Sequence, residues 1–320
     1  MRVVVVDPSR TVLRFISRLL ATRNHEVRTF LAAREALECI KSDPAVGAVI
    51  TSDELLPMSE MSGIELCWEA RLLATCRRPI YIILMSCDRD SQKLIEALDS
   101  GADDFIGKPP VAEELYARLR SAERLANMQQ ELLRLALTDP LTGVLNRRAF
   151  FERAEEACAR AHALDGLAAV VIDIDHFKRI NDVYGHDVGD EAIRAVAAEV
   201  GAENAIAGRL GGEEFAMLLE GRDLAAALGV AERLCAHVSG MPVATEKQRL
   251  KLTCSFGVSE WEPGDTIDRL LKRADIALYS AKSGGRNRVV AFEPTLIEAT
   301  NCSSLYGRVR SAARSAPQPA

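Results

Sequence analysis

The 320-residue chain lacks any apolar run near the roughly 18 residues a membrane helix needs. No membrane partner is therefore expected. No secretory leader is expected, since Met1-Arg2 leads straight into the first apolar run. The eight cysteines show neither CxxC nor zinc-finger spacing, so they are expected as free thiols of a cytoplasmic protein. A basic excess is also missing. The net charge of −6 gives no footprint for nucleic acid. Aromatic residues make up only 5% of the chain, and the apolar fraction rests on aliphatic runs. The length suggests two domains, each able to bury an ordinary core.

Acids placed beside apolar runs are what the sequence does have. Gly211-Gly212-Glu213-Glu214-Phe215 reads as a tight turn. A Gly-Gly pair lets the backbone reverse and approach a ligand closely. Two adjacent carboxylates there suit a hard divalent cation such as magnesium, although an acidic turn can equally be merely solvated. About forty residues upstream, Ala168 to Ile172 form a short apolar run read as a buried strand, with Asp173 directly after it. An unpaired charge at a buried strand end is costly, which points to a partner such as a metal. Lys178 offers a phosphate partner. Asn181 and Asp190 offer an amide and a carboxylate able to read a purine edge. Asp175 and Asp182 read as helix-capping or solvated acids with no catalytic role.

These segments resemble the GGDEF family of diguanylate cyclases. Four blocks carry the resemblance in order: Thr138–Phe150, Asp173–Asp190, Arg209–Phe215 and Ala274–Asn287. They imply a domain over residues 138–292 that joins two GTP molecules into cyclic di-GMP with a Mg²⁺ (or Mn²⁺) cofactor. Asp173, helped by the Ile174 carbonyl, and Glu214 would be metal ligands. Glu213 would act as ligand or general base. Asn181 and Asp190 would bind guanine, and Phe177 and Lys178 would lie along the triphosphate. Lys282 and Arg286, four apart on one expected helical face, would grip the phosphates. Many family members carry Arg-x-x-Asp before the glycine pair as an inhibitory product site. Here Ala202 and Ala205 stand at those positions, so weak product inhibition is expected.

In the N-terminal part, apolar runs at Val3–Val6, Val46–Ile50 and Ile80–Met85 alternate with helical patterns at Ala32–Ile40 and Ser91–Ser100. That alternation predicts a doubly wound parallel sheet with its functional groups at the carboxyl strand ends. Asp7, Asp53, Ser86 and Lys108 occupy those ends. The pattern resembles the receiver domain of two-component response regulators over residues 1–120. The resemblance implies that Asp53 is phosphorylated by a sensor histidine kinase or phosphotransfer protein, with Asp7, Ser86 and Lys108 around it and Phe105 as an aromatic switch. Receivers usually show two acids after the first strand; here Pro8 takes the second place. The loop from Pro57 to Gly63 is about two residues longer than usual for receivers.

Residues 111–137 predict one long linker helix. Leu125, Met128, Leu132 and Leu135 follow a/d spacing over two heptads, which reads either as a short coiled-coil seam or as one amphipathic helix packed on its own domain. The expected fold is thus a flavodoxin-like receiver followed by an α/β cyclase domain whose central sheet contains antiparallel strands. A homodimer is expected in the active state, because each cyclase domain holds one GTP and the product needs two. The alternative is a catalytically silent response regulator that binds GTP or docks a partner. Residues 293–320, rich in Ser, Ala, Arg and Pro, are expected to be a disordered tail.

Overall fold

A computed structural model describes residues 1–56, 59–88, 91–161, 166–244 and 249–296. Part of the long Pro57–Gly63 loop and the expected tail from residue 297 onward lie outside the described residues. Contacts divide the chain into two compact units, Met1–Arg134 and Leu135–Ala320.

The first unit alternates strand and helix throughout. Its order is β1 (Arg2–Val6), α1 (Arg10–Ala21), β2 (Glu26–Phe30), α2 (Ala33–Ser42), β3 (Val46–Ser52), α3 (Gly63–Leu73), β4 (Tyr81–Ser86), α4 (Ser91–Asp99), β5 (Asp104–Gly107) and α5 (Ala112–Leu137). The sheet order is β2-β1-β3-β4-β5, and every pair is parallel. The aliphatic runs follow from burial on both faces. Val4, Val6, Val49 and Ile82 pack on Leu37, Ile40 and Leu66 of α2 and α3. Val3, Val5, Ile50 and Ile83 face Ile16 and Leu20 of α1 and Leu115 and Leu119 of α5. The expected doubly wound sheet is therefore present. Leu125, Met128, Leu132 and Leu135 on the distal part of α5 are exposed.

The second unit runs α6 (Arg147–Arg160), β6 (Leu167–Ile174), α7 (Phe177–Tyr184), α8 (His186–Ala202), β7 (Ile206–Gly211), β8 (Glu214–Glu220), α9 (Leu224–Gly240), β9 (Pro242–Ala244), β10 (Arg249–Lys251), β11 (Cys254–Glu260), α10 (Ile267–Ser283) and β12 (Val289–Ala291). Its main sheet has the order β12-β11-β6-β8-β7. Central β6 is antiparallel to both neighbours, and only the β11–β12 pair is parallel. The expected sheet with antiparallel strands is thus observed.

Strand alternation splits the core of this unit in two. Ala168, Val170, Ile172 and Ile174 face Ile193, Val196 and Val230 of α8 and α9. Leu167, Ala169 and Val171 face Phe150 of α6 and Leu270, Ala274 and Leu278 of α10. Asp173 lies inside the strand rather than after it, because the ladder continues to Ile174 paired with Cys254. No helix among the described residues is long and apolar enough to cross a membrane.

Candidate active site and phosphoacceptor pocket

Asp173 shares its strand face with Val171 and therefore looks toward α10. The residue is only 6% exposed. Lys282 in the last turn of α10 reaches it, with Nζ 2.7 Å from Oδ2. Glu214 is the cross-strand partner of Asp173 on β8, which places the two acids side by side on one face. Burial pushes the Asp173 carboxyl up to about 6; Lys282 opposes the rise, and Glu213 and Asp175 add to it. Burial likewise raises Glu214 to about 7, with repulsion from Asp173, Asp275 and Glu213 adding to it against the pull of Lys282. Crowded carboxylates that hold protons this tightly create a demand for positive charge.

Glu213 sits in the turn between β7 and β8. Gly212 takes the left-handed conformation there, with φ 51°. The Ile174 amide donates to the Glu213 carbonyl at 3.4 Å, so the turn abuts the end of β6. Arg209 staples it: its guanidinium donates to the Gly212 carbonyl at 2.7 and 2.9 Å and to Asp139 at 3.0 Å. Asp139 in turn accepts from the Thr142 hydroxyl and amide. Arg209 and Asp139 fall within two of the family blocks, but nothing local in the sequence gives either a role. Only their contact, across 70 positions, reveals it.

Asn181 and Asp190 come from α7 and α8. The Asn181 Oδ1 atom is buried without a hydrogen-bond partner among the described residues. Gly189 makes this placement possible, since a Cβ there would lie 1.9 Å from that oxygen. Phe177 is half-buried and packs against the same glycine and the core, while Lys178 is exposed. Asp190 follows Gly189 on α8 and is half-buried.

Lys282 and Arg286 do not share a helical face. The helix ends at Ser283, and Gly284 caps it by donating to the Ser280 carbonyl. Gly285, Arg286 and Asn287 then take positive φ angles of 115°, 63° and 46°. A glycine past the last turn is a common helix stop, and two stand here. The left-handed conformation costs a residue such as Arg about 1–2 kcal/mol, so neighbours must hold this turn. Two bonds do so: Arg286 N to Ala281 O at 3.0 Å, and Asn287 N to the Asp175 carboxylate at 3.0 Å. Asp175 is neither a cap nor solvated. It is 5% exposed and also accepts from the Thr253 and Ser255 hydroxyls.

The parallel sheet of the first unit gathers its own cluster. Lys108 Nζ lies 2.8 Å from Oδ2 of fully buried Asp7 and donates to Ser52 Oγ at 3.0 Å. Ser86 Oγ donates to Asp53 Oδ2 at 2.6 Å, and the second Asp53 oxygen is buried without a hydrogen-bond partner among the described residues. Lys93 of α4 brings another ammonium, 3.6 Å from Asp53 Oδ2. Nothing in the sequence marked Lys93, because a polar helix position looks like any solvated one. Phe105 on β5 is half-buried against the core.

Both clusters can serve phosphate chemistry, and the second unit offers oxygen donors suited to a hard divalent ion. Among the described residues, no three His, Cys, Asp or Glu side chains close round one point. That still fits magnesium, which takes one or two carboxylates and fills its shell with substrate phosphates and water.

A doubly wound parallel sheet with an Asp-Ser-Lys pocket, ahead of a mixed sheet with an acidic turn beside a strand-end acid, defines the class: a receiver-like α/β fold followed by a mixed α/β fold of GGDEF type. Comparison with known proteins agrees. The model "Response regulator receiver domain" matches residues 3–120, and "Diguanylate cyclase, GGDEF domain" matches residues 136–288. The chain belongs to the GGDEF family, with a receiver domain ahead of the GGDEF domain. It is 40% identical over 228 residues to response regulator PleD of Caulobacter vibrioides, covering 67% of this chain and 50% of that one. It is 40% identical over 192 residues to diguanylate cyclase DgcP of Pseudomonas aeruginosa, covering 55% of this chain and 29% of that one. The chain thus spans half or less of the length of these two relatives. The coiled coil and GGDEF domain of DgcB from Caulobacter crescentus, solved in complex with c-di-GMP, superposes with a TM-score of 0.51 at 35% identity, covering 56% of this chain and 97% of that one.

Proposed function

We propose that this chain is a diguanylate cyclase that condenses two GTP molecules into cyclic di-GMP and pyrophosphate, under control of Asp53 phosphorylation. The observation that carries the reading is the shared face of Asp173 and Glu214, bordered by the Glu213 turn and by Lys282. Mg²⁺ or Mn²⁺, held by Asp173, Glu214 and the Ile174 carbonyl with Glu213 beside them, would supply neutralisation of triphosphate charge.

The chain's own residues do the rest. The guanine edge presents N–H donors, and Asn181 Oδ1 and the Asp190 carboxylate are acceptors that match them. Lys282 and Arg286 hold the phosphate tail. Phe177 and Lys178 border the triphosphate. Glu213 takes the proton from the attacking 3′-hydroxyl, or helps hold the metal. Positioning and charge neutralisation carry most of the rate in such transfers.

Each cyclase domain holds one GTP, so two copies must face each other. The exposed stripe Leu125, Met128, Leu132 and Leu135 fits a two-stranded seam between copies. A cytoplasmic histidine kinase or phosphotransfer protein would supply the phosphoryl group to Asp53. Ser86, Lys108 and Lys93 surround that carboxylate and would contact the added charge. Incubation of the full chain with GTP and magnesium tests the proposal. Cyclic di-GMP among the products supports it; bound but unaltered GTP contradicts it.

A further inference from the structure

We infer that Asp175 is a positioning residue for the phosphate grip, fixing the turn that presents Arg286; this rests on the GTP reading above. Both carboxylate oxygens are engaged by protein donors, three bonds for about four acceptor sites. Oδ1 accepts from Ser255 Oγ at 2.7 Å, and Oδ2 accepts from Thr253 Oγ1 at 2.8 Å and from the Asn287 amide at 3.0 Å. Its own amide donates to the Thr253 carbonyl at 2.9 Å. With both oxygens so engaged and the residue 5% exposed, Asp175 is not arranged as a metal ligand. Asp173, two residues earlier, instead offers its carboxylate to the Lys282 ammonium.

The two acids hold one segment at both ends. Asp173 fixes Lys282 where α10 stops, and Asp175 fixes Asn287 five residues later. Between them the chain makes its left-handed turn at Gly285, Arg286 and Asn287. Arginine does not choose that conformation unaided. Asp175 therefore acts through the Asn287 amide on the direction in which Arg286 leaves the backbone. The contacts span 78, 80 and 112 positions, tying the end of β6 to the start of β11 and to the turn after α10.

The test compares Asp175→Ala, Asp175→Asn and Asp173→Asn with wild type in the full chain. Asparagine can keep the arrangement: its amide oxygen accepts from Asn287 and Thr253, and its NH₂ donates to the Ser255 hydroxyl. Asp175→Ala is expected to raise KM for GTP about tenfold, the scale of one lost hydrogen bond to a charged group, with kcat and the half-saturating magnesium concentration little changed. Asp175→Asn is expected to return KM to within about threefold of wild type. Without nucleotide, amide hydrogen exchange at residues 284–288 should quicken in Asp175→Ala and stay slow in Asp175→Asn. Unaltered exchange at Asn287 in Asp175→Ala overturns the inference. So does an Asp175→Asn chain as inactive as Asp173→Asn with a shifted magnesium dependence, since that marks a metal ligand. The exchange arm needs no turnover, so absence of cyclic di-GMP from wild type sinks the cyclase reading alone.

Discussion

Lys282 Nζ lies 2.7 Å from Asp173 Oδ2, so the last turn of α10 sets a cation on the acid at the end of the central strand. In the proposed reaction this ammonium is already beside the place where the triphosphate must lie. Lys282→Ala should raise KM for GTP by about tenfold or more, through loss of one charge-assisted contact, while the fold persists. Steady-state kinetics with a thermal melt checks both.

Asp173→Asn should cut cyclic di-GMP formation by more than about a hundredfold. Loss of an outer partner of a metal site already costs about 10–100-fold, and a ligand should cost more. Its melting temperature at neutral pH, without divalent ions, should not fall, because burial raises the Asp173 carboxyl to about 6 and the ionised acid there is a net cost to the folded state. Rates across a magnesium titration, read beside differential scanning fluorimetry, decide this.

The acid pair makes metal-free stability depend on pH. Asp173 at about 6 and Glu214 at about 7 keep protons in the folded state that the unfolded chain releases near its usual value of about 4. The folded state is therefore favoured at low pH, and this contribution is lost as pH rises from about 4, where the unfolded chain ionises, through the folded values of about 6 and 7. Without divalent ions, the melting temperature should decline over that window and the Asp173→Asn chain should decline less. Magnesium should restore stability above the window, as a ligand that binds only the folded state.

In the receiver unit, Asp53→Asn should abolish any response of cyclase activity to a small-molecule phosphodonor. Lys93→Ala should slow phosphorylation while leaving the fold intact. Pro8→Asp, which supplies a second acid beside Asp7, should increase the magnesium dependence of phosphorylation. Phosphate-affinity gels over a magnesium series read all three.

Product inhibition should be weak, because Ala202 and Ala205 offer no cationic or anionic group before the glycine turn. Adding micromolar cyclic di-GMP should leave the initial rate nearly unchanged. The double change Ala202→Arg with Ala205→Asp should introduce inhibition. Strong inhibition of the wild type that changes at these positions remove would contradict this.

Much of the fold was legible because both sheets announce themselves locally. Val3–Val6 and Ile82–Met85 are apolar on both faces, as only a sheet covered on both sides requires. The neighbourhood of Asp173 and Glu213 was legible too, since an acid at a buried strand end needs a partner. What local pattern missed is non-local or sits at element ends. The apolar run stops at Ile172 but the hydrogen-bonded ladder does not, so Asp173 fell outside its expected strand. The spacing of Lys282 and Arg286 suggested a common helical face, yet Gly284 and Gly285 end the helix between them. Asp175 looked solvated because Thr253, Ser255 and Asn287 lie far along the chain.

The most direct measurement follows the products formed from GTP and magnesium by the wild-type chain and by Glu213→Gln. The acid-face account predicts cyclic di-GMP with two pyrophosphates for each molecule formed, and near silence from the variant. Release of GDP and phosphate instead, or equal synthesis by both chains, would contradict it.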